Sequence, residues 1–244
     1  MPPANGTLIF PPEPVPVLEP IEASHDILGI DDLEMPEDFV FEPYDDFEID
    51  PSPVNWTLTQ DPDVKRSIEQ IIEAYGFNVQ EHTVKTTDGF ELKVMRIKAK
   101  SMVWGSGKPV FLQHGLFSSA ETWVINKEKS AAFKMAHAGF DVWLGNNRGN
   151  RYSRKNDHLD PTKDDAEFFD YSFYELGKYD LPAQIDYVLK TTGQSKLAYM
   201  GHSQGTSQMF SALSEGHGNL KDKVSIFIAC APIVNLKNSP NKMI

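Results

Sequence analysis

The sequence of 244 residues predicts an α/β fold, with a mixed, mostly parallel sheet and helices on both faces. Three observations predict it. Residues 79–97 read as an antiparallel hairpin. From residue 109 onward, short apolar strand patterns alternate with helical ones. The composition, 40 % hydrophobic and 24 % charged, is that of a chain able to bury a core.

The elements follow in order. Asp61 or Asp63 suits a helix N-cap with Pro62 in the first turn, Ile68, Ile71, Ile72 and Tyr75 recur at helical spacing, and Gly76 marks the stop. The hairpin pairs residues 79–86 with the strictly alternating 90–97, across a turn at Asp88-Gly89. Residues 109–112 form an apolar strand entering Gln113-His114-Gly115. A helix is expected over 127–138 and a strand over 140–145. Next come a helix over 181–190 with Asp180 as cap, a strand over 196–200, a helix over 203–215 and a buried strand over 224–230.

Charge divides the chain. Residues 1–63 hold 16 Asp and Glu, no Lys or Arg, and 12 of the 17 prolines. The net charge of −12 therefore belongs to a tail, and the rest is slightly basic. Proline breaks helices and central strands, and like charges extend a chain. Residues 1–60 are thus expected to be a largely disordered acidic tail, and 61–244 the folded part. Ile27, Leu28, Phe39, Phe41 and Phe47 give the tail apolar points with which to dock on its own domain or on a partner. The acidity argues against a nucleic-acid partner. No apolar run is long enough to span a membrane, and no basic leader with an apolar run precedes Pro11, so no secretory signal is read. Sequons stand at Asn5 and Asn55. Cys230 is the only cysteine, which excludes an internal disulfide.

The chemistry centres on Gly201-His202-Ser203-Gln204-Gly205, a G-x-S-x-G pattern between an expected strand and an expected helix. A serine hydroxyl is a weak nucleophile until a base takes its proton. A sharp strand-to-helix turn would lift Ser203 clear of the sheet, and the helix start would aim free N–H groups at the reacting centre. Gln204 N–H is the first candidate oxyanion donor. The second belongs to the loop after an earlier strand, which makes Leu116 N–H the candidate. His114 is expected to hold that loop rather than act as base, because the base in this layout follows the serine in sequence.

These stretches resemble the acid lipase family, which includes gastric lipase and lysosomal acid lipase. The matching segments are Tyr75-Gly76-Phe77, residues 84–92, 110–116 and 138–146, Arg148-Gly149-Asn150 with Ser153-Arg154, residues 178–183, and the motif at 201–205. The resemblance covers roughly residues 64–240. It implies an α/β-hydrolase fold, no cofactor or metal, and hydrolysis of lipid carboxylic esters such as triacylglycerols or steryl esters through an acyl-serine. It also suggests a lysosomal or secreted setting.

In that family the triad acid and histidine lie in later strand-end loops, beyond a lid. After Ser203 this sequence offers only Glu215, Asp222 and His217. A helix from Ser203 to Glu215 places residue 217 about 21 Å away, whereas a base works within about 3 Å. His217 is expected in an exposed loop. The domain is therefore expected to be incomplete at its C-terminal side and inactive alone. An open apolar edge is expected around Ile226, Phe227 and Ile228, to be covered by the tail or by another chain. Three explanations fit: a fragment of a lipase, half of a split enzyme, or a non-catalytic hydrolase-like scaffold with an acidic binding tail.

Other polar groups receive structural readings. Residues 146–154 are expected to form a hydrogen-bonded loop holding the sheet ends, with Arg148 on local acceptors. Asp157, Asp160, Asp164, Asp165 and Asp170 lack a calcium-loop frame and read as a solvated loop. Trp123 and Trp143 read as core, and Cys230 as packing in a buried strand.

Overall fold

The computed structural model describes residues 61–235. The expectations for the acidic tail concern residues 1–60 and lie outside the described residues.

The opening helix is two pieces. Asp61 caps a 3-10 turn at Pro62–Lys65, and a separate helix α1 (Ile68–Ala74) follows. Ser67 and Gln70 form a reciprocal capping box, which restarts the helix inside what the periodicity presented as one run. The stop at Gly76 stands, with φ +88°. Strands β1 (Phe77–Lys85) and β2 (Phe90–Ala99) form the expected hairpin. Strand β3 (Pro109–Gln113) is buried along its whole length.

Residues 127–138 also divide, into a 3-10 turn at Lys127–Lys129 and α2 (Ala131–His137), because Ser130 takes extended backbone between them. Strand β4 (Asp141–Gly145) is fully buried. The short strand β5 (Lys155–Asn156) and helices α3 (Asp165–Phe168) and α4 (Phe173–Glu175) follow. A π-helical turn at Leu176–Asp180 then runs straight into α5 (Leu181–Thr192). Pro182 has no N–H to return to the preceding turn, which fits the widened helix there. Asp180 is therefore no cap: its backbone is helical, and its side chain is committed elsewhere. Strand β6 (Leu197–His202), α6 (Gln204–Ser214), α7 (Leu220–Lys223) and β7 (Val224–Cys230) complete the described part.

The sheet has the order β1-β2-β4-β3-β6-β7, with β5 paired to β2. Pairs β1/β2 and β2/β4 are antiparallel, while β4, β3, β6 and β7 run parallel. Alternation along the strands divides the core in two. Val110, Leu112, Val142 and Leu144 pack against α1 and α2, through Ile68, Ile72 and Phe133. Phe111, Trp143 and Tyr199 point the other way, onto Leu181, Ile185 and Val188 of α5 and Met209 of α6. Trp123 and Trp143 are both core residues, as expected.

Strand β7 corrects one reading. Among the described residues it is an edge strand and not a buried one: Ile226 is 42 % and Ile228 37 % exposed, and Cys230 is half-buried. Phe227 turns inward onto Tyr199 and Phe210. The apolar opening expected here is thus confined to one face, where Ile226 and Ile228 stand beside Ala198 and Met200 of β6. Among the described residues no helix is long and apolar enough to cross a membrane.

Candidate active site

The strand-to-helix turn is built by steric necessity. β6 ends at His202 and α6 begins at Gln204, one residue later than the sequence pattern indicated. Ser203 between them holds φ +53° and ψ −118°, a conformation that L-residues adopt only under strain. The two flanking glycines leave no room for a side chain. A Cβ on Gly201 would lie 2.6 Å from the Gly205 carbonyl oxygen, and one on Gly205 would lie 2.6 Å from that of Gln113. The turn is fastened from several sides. Ser203 N–H donates to the Cys230 carbonyl at 2.9 Å, and the Tyr199 hydroxyl donates to the Gly205 carbonyl at 2.7 Å. The Thr206 hydroxyl donates to the Ser203 carbonyl at 2.6 Å and accepts from Ile233 N–H at 3.0 Å, while Ser207 Oγ donates to the Ile233 carbonyl at 2.9 Å.

The loop after β3 reaches this turn. A Cβ on Gly115 would stand 3.0 Å from Ser203 Cβ and 3.3 Å from the His202 carbonyl oxygen. Gly115 is therefore the residue that lets the 114–116 backbone lie against Ser203. Among the described residues, neither Gln204 N–H nor Leu116 N–H donates to a protein acceptor. Gln204 is the first residue of α6, where N–H groups have no intrahelical partner. The Leu116 side chain is half-exposed, and Phe117 beside it is 91 % exposed at φ +55°.

His114 lies under this loop, buried among uncharged partners. Its Nδ1 is 2.7 Å from the Gly115 carbonyl oxygen, and its Nε2 accepts from Asn147 N–H at 3.1 Å. Burial pushes its pKa down to about 4, partly offset by the Gly115 bond. A buried amide chain continues from Gln113 Nε2 to Asn147 Oδ1, and from Asn147 Nδ2 to Gln208 Oε1. It ties β3, the 146–150 loop and α6 together.

Arg148 anchors the same loop. Its Nε donates to Asp180 at 2.7 Å, its two terminal nitrogens donate to Asp88 at 2.7 and 2.9 Å, and the guanidinium lies 4.1 Å over the Phe90 ring. The acceptors are not local, as the sequence reading supposed; they lie 60 and 32 residues away. Burial raises the Asp180 carboxyl, with Arg148 pulling against it.

Among the described residues Ser203 Oγ makes no hydrogen bond to an imidazole or a carboxylate, although the His202 ring lies beside the same face of Gly115. His217 sits in a 3-10 turn beyond the end of α6, half-buried with its ring edge-on to Tyr174, and not in an exposed loop. The eleven residues of α6 separate it from Ser203 by about 16 Å. In the acidic loop, Asp157 pairs with Lys85 and Asp160 accepts from the Thr162 hydroxyl. No group of three or more metal-ligating side chains occurs among the described residues. Thr206 and Gln208 escaped the sequence reading, which named Gly115 within the loop but not its contact with Ser203. The available signal was polar and small residues, Thr206 and Gln208, on the inward face of an amphipathic helix.

Residues 68–127 match the family described as a partial α/β-hydrolase lipase region, and residues 108–243 match the α/β-hydrolase fold family. The chain belongs to the α/β-hydrolases, on their acid lipase branch. Lipase lipl-5 of Caenorhabditis elegans is 45 % identical over 183 residues, covering 73 % of this chain and 45 % of the worm protein. Gastric triacylglycerol lipase of Rattus norvegicus is 46 % identical over 189 residues, covering 75 % of this chain and 47 % of the rat protein. The chain thus spans about half the length of these lipases. Among solved structures, the esterase Pf2001 of Pyrococcus furiosus superposes with a TM-score of 0.50 at 19 % identity, over 67 % of this chain and 55 % of that one. That likeness concerns the fold.

Proposed function

We propose that this chain carries the nucleophile half of a lipid carboxylic-ester hydrolase. Ser203 Oγ attacks the ester carbonyl carbon and its proton passes to a base. Gln204 and Leu116 N–H groups take up the negative charge on the former carbonyl oxygen. The alcohol leaves with a proton, and water cleaves the acyl-serine. The observation that carries the reading is the strained backbone at Ser203 with Gly115 packed against it, an arrangement that costs stability. The names of the matched relatives point to triacylglycerols as the substrate class.

Residues 204–244 contain one histidine, His217, held at the far end of α6. Residues 1–244 alone are therefore expected to leave Ser203 without a base. An oxyanion hole without its triad retains only a small part of the acceleration.

The test joins this chain to the part of the rat gastric lipase lying downstream of the matched region, and treats it with a fluorophosphonate. Ser203 is expected to label in the joined protein, Ser203→Ala to abolish labelling, and the chain alone to label about 10³-fold more slowly. A folded joined protein in which Ser203 stays unlabelled would overturn the proposal.

A further inference from the structure

We propose that His114 is a positioning residue for the oxyanion arm, acting by clamping the Gly115–Leu116 peptide. The inference rests on the reading of Leu116 N–H as an oxyanion donor. A peptide unit is planar and trans, so its C=O and N–H point in opposite directions. The Gly115 carbonyl oxygen and the Leu116 N–H belong to one such unit. His114 Nδ1 holds that oxygen at 2.7 Å, which turns Leu116 N–H away from the imidazole. Gly115 itself packs against Ser203, so the peptide that carries Leu116 N–H adjoins the serine turn.

The partners dictate the tautomer. A carbonyl oxygen only accepts, so Nδ1 carries the proton. Asn147 N–H only donates, so Nε2 offers its lone pair, with Asn150 Nδ2 at 3.2 Å as a second donor. His114 is therefore a neutral strut with fixed polarity between the 146–150 loop and the oxyanion arm. A second proton on Nε2 would face two donors and displace the strut. No charged side chain meets the ring. His202 Nδ1 faces Gly115, and Arg148 is committed to Asp88 and Asp180.

Two substitutions separate the halves of the strut. In His114→Asn the side-chain amide nitrogen stands where Nδ1 stood and still donates to the Gly115 oxygen. In His114→Gln the amide reaches the Nε2 position and serves the 146–150 loop instead. Gly115-Leu116 is the only Gly-Leu pair in the sequence. Carbonyl-¹³C glycine with ¹⁵N leucine therefore gives a single correlation peak for Leu116 N–H in the full chain.

The expected result is a wild-type peak position in His114→Asn and a displaced peak in His114→Gln. A long-range ¹H–¹⁵N spectrum should show Nδ1 protonated and Nε2 bare. In the wild type, the Leu116 peak should move on acidification together with the His114 ring nitrogens. The inference is overturned by an unmoved peak in His114→Gln, by equal displacement in both variants, or by a protonated Nε2 at neutral pH. Failure of Ser203 to label would sink the ester reading instead and leave these peak positions as measured, so the two failures are distinguishable.

Discussion

Replacing Arg148 with methionine removes three charge-assisted hydrogen bonds, one to Asp180 and two to Asp88, together with the guanidinium stacked over Phe90. The volume is nearly kept, so the main effect is electrostatic. Asp88 is half-open and regains water. Asp180 has no exposed surface and retains only the Arg148 backbone N–H at 2.8 Å. Stripping the partner from a buried charge costs about 3–5 kcal/mol, a large share of the roughly 5–15 kcal/mol that a domain possesses. With a urea slope of about 2 kcal/mol/M, the midpoint should fall by about 2 M. Adding Asp180→Asn removes the orphaned charge, and the double variant should be more stable than Arg148→Met alone by about 1–3 kcal/mol. Urea unfolding followed by tryptophan fluorescence measures all three proteins. A midpoint shift below about 0.5 M in Arg148→Met, or no recovery in the double variant, would refute the reasoning.

Three further outcomes are expected. His114 titrates at about 4 when folded, against 6.5 for the free side chain. The unfolded chain binds the extra proton first, so this stability is complete above about pH 6.5 and is lost as pH falls toward 4. The loss reaches about 2 kcal/mol at pH 5, and urea midpoints measured against pH should flatten by that amount in His114→Gln. Ser203→Gly should raise the melting temperature by about 2–4 °C, because glycine accepts the positive φ without strain, and a calorimetric scan showing a lower value would remove the strain argument. Ile226→Lys with Ile228→Glu should reduce self-association in sedimentation velocity with little change in urea midpoint, since both residues face out from the edge strand; unchanged association would clear that edge of blame.

The sheet and the serine turn were legible because their signals are local. Apolar runs of strand length, a glycine on each side of Ser203 and helical spacing afterwards leave little freedom. Helix ends were less legible where a serine interrupts good periodicity. Ser67 carried its signature three residues ahead, in Gln70, and Ser130 left none. The support of the site was invisible for a different reason. Arg148 needs acceptors, but nothing near it in sequence distinguishes Asp88 and Asp180 from other carboxylates; only the crossing of the hairpin turn and the π-helical turn brings them together. The contact of Gly115 with Ser203 likewise belongs to the register of β3 against β6. Strand β7 read as buried because its composition is apolar; the open edge at Ile226 and Ile228 was legible only through the family resemblance, which places further strands beside it.

Ile233 grips the first turn of α6 with both its amide and its carbonyl, through Thr206 and Ser207. The backbone at residue 233 is thus tethered to the turn that carries Ser203. Loop-closure entropy grows only with the logarithm of length, so even a long excursion from that tether would return a distant side chain to Ser203 at modest entropic cost.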